Sequence, residues 1–147
     1  MYDLAVSEQL GDLLTQAAAA GKLIAAVCHG PAGLLPGKGP DGRPLVAGRR
    51  VTGFTDSEEA AVGKDKIMPF SLEARLRDAG ADFARAPDWA ECVVRDGNLI
   101  TGQNPGSAVG LARELLAALG EARAGGAAAG GGVTYTAGEL GLVGKGQ

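Results

Sequence analysis

The run LIAAV, Leu23 to Val27, has five apolar residues without alternation and stops at Cys28 and His29, with Gly30 and Pro31 next. A strand that is apolar on both sides has to be covered on both faces, which is the situation of a parallel sheet with helices above and below it. Proline fits the first turn of a helix, so PAGLL predicts a helix starting directly after the Cys-His pair. The chain's single histidine therefore sits at a strand-to-helix seam, beside one of only two cysteines.

The flanking sequence supports the alternation. Ser7 is a candidate N-cap, and Leu10, Leu13, Leu14, Ala17 and Ala18 recur at helical spacing up to Gly21. PGKGPDGRPLVAGRRVTGFT predicts a loop with a hairpin at Asp41-Gly42. SEEAAVG and PFSLEARLRDAG read as helices, DFARA as a strand, and ECVVRDGNLITG as two strands joined at Asp96-Gly97. Asn104 then caps PGSAVGLARELLAAL, whose Leu111, Leu115, Leu116 and Leu119 share one face. Strands alternating with helices predict a three-layer α/β sandwich with a mainly parallel sheet. From Gly120 the stretch to residue 147 holds ten glycines in 28 residues and no periodic face, so residues 120–147 are expected to form a disordered Gly/Ala-rich tail.

Composition excludes several classes. Fourteen basic against 17 acidic residues leave no basic stripe for nucleic acid or an anionic membrane. No apolar run approaches the roughly 20 residues of a membrane span, and the first ten residues do not read as a signal peptide. Two cysteines and one histidine cannot furnish a four-ligand zinc site. A cytoplasmic protein with free thiols is the expectation. GKGPDG lacks the Lys-Ser/Thr ending of a phosphate loop.

Chemistry concentrates at the seam. A nucleophile on a sharp strand-to-helix turn is the elbow geometry of hydrolase-type α/β folds. Small neighbours (Ala25, Ala26, Gly30, Ala32) permit such a turn, and the amides after it, starting at Gly30, can serve an oxyanion. A helix N-terminus and a basic His29 would lower the thiol pKa of Cys28. Cys92, within a strand pattern, reads as a packed thiol, while Pro87 and Trp89 shape a loop. Asn104 in GQNPGS is accounted for by capping, although that helix start could also hold an anion.

AAVCHGPAGLL, GRRVTGFTDSEEAAVG and APDWAECVVRDGNLITGQNP, followed by a closing helix, together resemble the ThiJ/PfpI superfamily over residues 1–119. The resemblance implies a flavodoxin-like, class I glutamine-amidotransferase-like fold. It is nearest the branch of glutathione-independent glyoxalases and stress-related holdase chaperones. It implies Cys28 as nucleophile, His29 as its partner, and an acidic residue that orients the histidine, which falls on Glu59, with Glu58 as the adjacent alternative. It also implies that the family's N-terminal strands are missing from this chain, together with a glycine-rich loop and a thiol-bonding glutamate.

The implied activity is conversion of methylglyoxal to lactate with neither metal nor organic cofactor. The expected partner is a small reactive aldehyde, and a homodimer is the expected assembly. A cysteine hydrolase (peptidase, deglycase or amidase) and a holdase remain the alternatives.

Overall fold

Ser7 does what its residue type predicts. Its hydroxyl accepts from the Leu10 N–H at 3.2 Å and starts α1, Glu8–Ala19. The computed structural model describes residues 1–125, so the expectation for residues 126–147 lies outside the described residues. After α1 come β1 (Ile24–Val27), β2 (Arg50–Val51), α2 (Asp56–Ala61), α3 (Leu72–Asp78), β3 (Asp82–Phe83), β4 (Val93–Asp96), β5 (Leu99–Gly102) and α4 (Ala108–Gly125). The chain thus forms the expected α/β fold.

One sheet has the order β1-β5-β4, with β1 and β5 parallel and β4 and β5 antiparallel. The β4–β5 hairpin turns through Gly97 at φ 57°, where a side chain would be strained. A parallel pair, β2 and β3, lies alongside, tied on by Thr52 N–H donating to Thr101 Oγ1 at 2.9 Å. Arg49 and Asp96 clamp the other end, where the Arg50 N–H also donates to Asp96 Oδ2 at 2.8 Å.

The sheet is covered on both sides. Ile24 and Ala26 face the main core with Leu14, Ala17 and Ala18 of α1. On the opposite face, Gly102 lies where a Cβ would meet Val27, Ser107 of the turn before α4, and Leu111 of α4. The main core, on the Ile24 side, is completed by Leu34, Leu45, Val46, Val51, Phe54, Leu72, Leu76, Phe83 and Leu99, all buried.

Four local expectations are corrected. β1, at the edge of its sheet, is buried only in part: Ile24 is buried, Ala25 exposed, Ala26 and Val27 half-buried. PAGLL forms a five-residue 3-10 turn, Gly30–Leu34, because its backbone is pressed into the core. There Gly33 lies against Leu10, and Pro36 and Gly37 follow at once.

In α4 Ala118 is buried and Leu111 and Leu115 are half-buried, while Leu116 and Leu119 are exposed. Finally, α4 runs past Gly120 to Gly125. Arg95 spans this extension, reaching Glu114 at 3.0 Å and Glu121 at 2.7 Å, two turns apart on one helix face. The expected hairpin at Asp41-Gly42 is present, closed by the Lys38–Pro44 bridge and by Gly39 N–H donating to Arg43 O at 2.8 Å.

Candidate active site

At the end of β1 the backbone reverses at Cys28, whose φ of 61° is in the left-handed region. A non-glycine residue pays about 1–2 kcal/mol there, so the conformation is held by its surroundings. Cys28 N–H donates to Gly102 O at 3.0 Å, and Cys28 O accepts from Phe54 N–H at 2.9 Å. Gly53 lets the neighbouring chain approach: a Cβ there would stand 3.3 Å from Pro31 and 3.3 Å from Leu72. Strand β5 and the segment after β2 therefore build the elbow from both sides.

The turn brings the next side chain back onto the thiol. His29 Nδ1 is 3.4 Å from Cys28 Sγ, and His29 Nε2 is 2.7 Å from Glu59 Oε2. One imidazole thus bridges thiol and carboxylate. With Glu59 ionised, Nε2 carries a proton and donates to it, leaving Nδ1 to accept the thiol proton. The Phe54 ring stacks on His29 with centroids 4.4 Å apart, and Trp89 packs edge-on against Phe54 at 5.8 Å.

Glu59 is delivered by α2, whose start is a capping box. Thr55 Oγ1 accepts from the Glu58 N–H at 3.2 Å, and the Thr55 N–H donates to Glu58 Oε2 at 3.1 Å. The two adjacent carboxylates consequently do different things. Glu59 meets His29, whereas Glu58, fully buried, accepts five hydrogen bonds. Thr55 N–H and Oγ1 donate to its Oε2, and Trp89 N–H, Gln103 Nε2 and Asn104 Nδ2 donate to its Oε1. Burial pushes the Glu58 pKa up, but these donors outweigh it and hold the carboxyl below its ordinary value.

The thiol behaves differently from the sequence expectation. Burial pushes the Cys28 pKa up, and the charges of Glu58 and Glu59 add to that, while the backbone hydrogen bond at His29 only partly opposes them. The element after the elbow is a 3-10 turn of five residues, too short to supply the helix field expected to lower the thiol pKa. Proton transfer to His29, rather than a standing thiolate, is what this geometry offers.

Behind the pair lies a cavity of about 190 Å³, lined in part by Phe54, Asp56, Glu59, Met68 and Phe70. The other oxygen of Glu59, Oε1, is buried and has no hydrogen-bond partner among the described residues. Gly30 opens the 3-10 turn and is exposed; a Cβ there would meet only Ala26, at 3.6 Å. Cys92 is unpaired and half-buried, with Sγ 4.0 Å from Thr52 Oγ1. Asn104 pairs with Ser107 as a cap while reaching Glu58.

Phe54, Gln103 and the inward role of Glu58 were not identified as site residues from sequence. The one signal available was the Thr55–Glu58 spacing of a capping box. Among the described residues, no group of three or more His, Cys, Asp or Glu side chains converges as a metal site would require. No described helix is long and apolar enough to cross a membrane.

Comparison with known proteins gives consistent matches. The sequence model of the DJ-1/PfpI family matches residues 2–118. Glutathione-independent glyoxalase HSP31 of Saccharomyces cerevisiae is 38% identical over 127 residues, covering 81% of this chain and 53% of that protein. The crystal structure of glyoxalase III from Candida albicans superposes with a TM-score of 0.74 at 33% identity, over 80% of this chain and 52% of that one. The Rapid Encystment Protein of 24 kDa from Francisella tularensis gives 0.77 at 35% identity, over 80% and 52%. The chain spans about half the length of the relatives it matches.

Proposed function

The chain belongs to the DJ-1/PfpI family, and from that membership we propose that Cys28, His29 and Glu59 form the catalytic centre of a glutathione-independent glyoxalase acting on a small reactive aldehyde such as methylglyoxal. The observation that carries this reading is the continuous relay from Sγ through one imidazole to a buried carboxylate, at 3.4 and 2.7 Å. The relatives named as glyoxalases support the choice of reaction.

The chemistry follows from the geometry. His29 Nδ1 takes the thiol proton as Sγ adds to the aldehyde carbon, and the resulting hemithioacetal keeps all atoms of both partners. Glu59 stabilises the imidazolium that forms and fixes which ring nitrogen faces the sulfur. A base then moves the hydrogen of the former aldehyde carbon, as a proton, to the neighbouring carbonyl carbon, giving a lactoyl thioester. Water cleaves the thioester to lactate and returns the thiol. The N–H groups opened by Gly30 are the proposed support for the oxyanion. A raised thiol pKa suits a cysteine that is deprotonated only as it attacks.

A reducing, cytoplasmic location and a homodimer belong to the same reading, the latter checked by sedimentation. Incubation with methylglyoxal in the absence of glutathione, with lactate as readout, tests the activity. Lactate that disappears in Cys28→Ala carries the reading, and lactate that survives the substitution overturns it. Cys28-dependent cleavage of an activated ester in place of lactate moves the assignment to a cysteine hydrolase. Suppression of client aggregation by Cys28→Ala, without either turnover, moves it to a holdase.

A further inference from the structure

We infer that Glu58 is a positioning residue of the Cys28 site: its buried carboxylate fixes Trp89 in a left-handed turn as the outer ring of a stack that ends on His29. The inference rests on the reading of Cys28 as the nucleophile.

Among the described residues, only two non-glycine residues have a left-handed backbone, Cys28 at φ 61° and Trp89 at φ 65°. Both belong to one cluster, because Trp89 packs on Phe54 and Phe54 on His29. Strained backbone of this kind persists only where its surroundings over-determine it. At Trp89 the surroundings are explicit. The Trp89 N–H donates to Glu58 Oε1 at 2.9 Å. Gln103 pins the loop at Ala86 through both backbone groups, and Asn104 pins it at Ala90. The same two amides donate to Glu58 at 3.1 and 2.8 Å.

Core packing does not explain the arrangement, since Trp89 is 49% exposed. Five donors converge on Glu58 from three segments, and only an ionised carboxylate accepts from all of them. Its charge also bears on Cys28, alongside the charge of Glu59 and the His29 ring in contact with the thiol.

Trp89 is the single tryptophan of the sequence, so its emission reports this loop alone. In Glu58→Gln, checked for folding by circular dichroism, acrylamide quenching of Trp89 rises and the pH profile of Cys28 alkylation moves to lower pH. A folded Glu58→Gln with both readouts at wild-type values overturns the inference. Lowered thermal stability with both unmoved shows a purely structural carboxylate and overturns it equally.

Where Glu58→Gln does not fold, Glu58→Asp decides, because it keeps the charge and shortens the reach. Raised quenching together with a changed alkylation profile supports the inference, because the charge is kept; unchanged quenching, or raised quenching with an unmoved alkylation profile, defeats it. Neither readout uses a substrate, so failure of the glyoxalase reaction leaves this test intact.

Discussion

His29 and Glu59, thirty positions apart, meet at 2.7 Å because a left-handed cysteine and a capping box aim two short elements at one point. The pair is half-buried on the histidine side and nearly closed on the carboxylate side. Proton traffic at the thiol should therefore depend on this contact more than on solvent.

The first prediction concerns the thiol itself. With its pKa raised by burial, Cys28 should be alkylated with a pH midpoint above the roughly 8.5 of a free cysteine. Linkage gives the matching stability effect. A raised folded-state pKa means that the folded chain holds the proton longer, so the stability present below the unfolded pKa is lost as pH rises through the folded one. Thermal melts from neutral to alkaline pH should show this loss, and Cys28→Ser should remove it. An alkylation midpoint below 7 would contradict the burial account.

Glu58 has the opposite sign. Its folded-state pKa is lowered, so its contribution is present above the unfolded value of about 4.3 and disappears as pH falls through the folded one. Acid titration followed by circular dichroism should show a shallower loss of stability in Glu58→Gln than in wild type. At neutral pH the variant itself is weaker, because an amide in that position faces donors it cannot accept. Parallel acid curves would show that Glu58 does not carry the transition.

Two helical glycines should respond in opposite directions. A Cβ on Gly11 in α1 would stand 2.8 Å from the backbone oxygen of Pro36, so Gly11→Ala should destabilise by about 1–3 kcal/mol. Gly120 in α4 has nothing within 4 Å of its Cβ position, and Gly120→Ala should gain up to about 1 kcal/mol of helix propensity. Denaturant midpoints of the two variants on opposite sides of wild type are the expected result; a stabilised Gly11→Ala would sink the packing argument.

Arg95 should hold the end of α4. Its guanidinium pairs with both Glu114 and Glu121 on the helix surface. In Arg95→Ala, amide exchange should quicken from Leu116 onward while the sheet amides of β5 keep their protection. Uniform exchange across both would mean that α4 is held by packing alone.

The sequence by itself determined the order and type of most elements. Apolar periodicity marked α1 and the presence of α4, though not its buried side or its end, the unalternating run marked β1, and Ser7, Asp41-Gly42 and Asp96-Gly97 marked starts and turns at the right places. It also placed Cys28 and His29 together at the seam, because neighbours in a chain need no fold to be adjacent. What it could not contain were quantities set by residues distant in the chain. Glu58 and Glu59 differ in sequence only by the capping-box spacing to Thr55, and only the fold brings Trp89, Gln103 and Asn104 onto the one and His29 onto the other. The thiol's proton affinity likewise depended on burial and on the charges around it, which reversed the expectation drawn from a helix start. Patterns along a chain report local conformation and which face is apolar. Desolvation and charge depend on what packs around a residue in three dimensions, so they were decided by the tertiary structure alone.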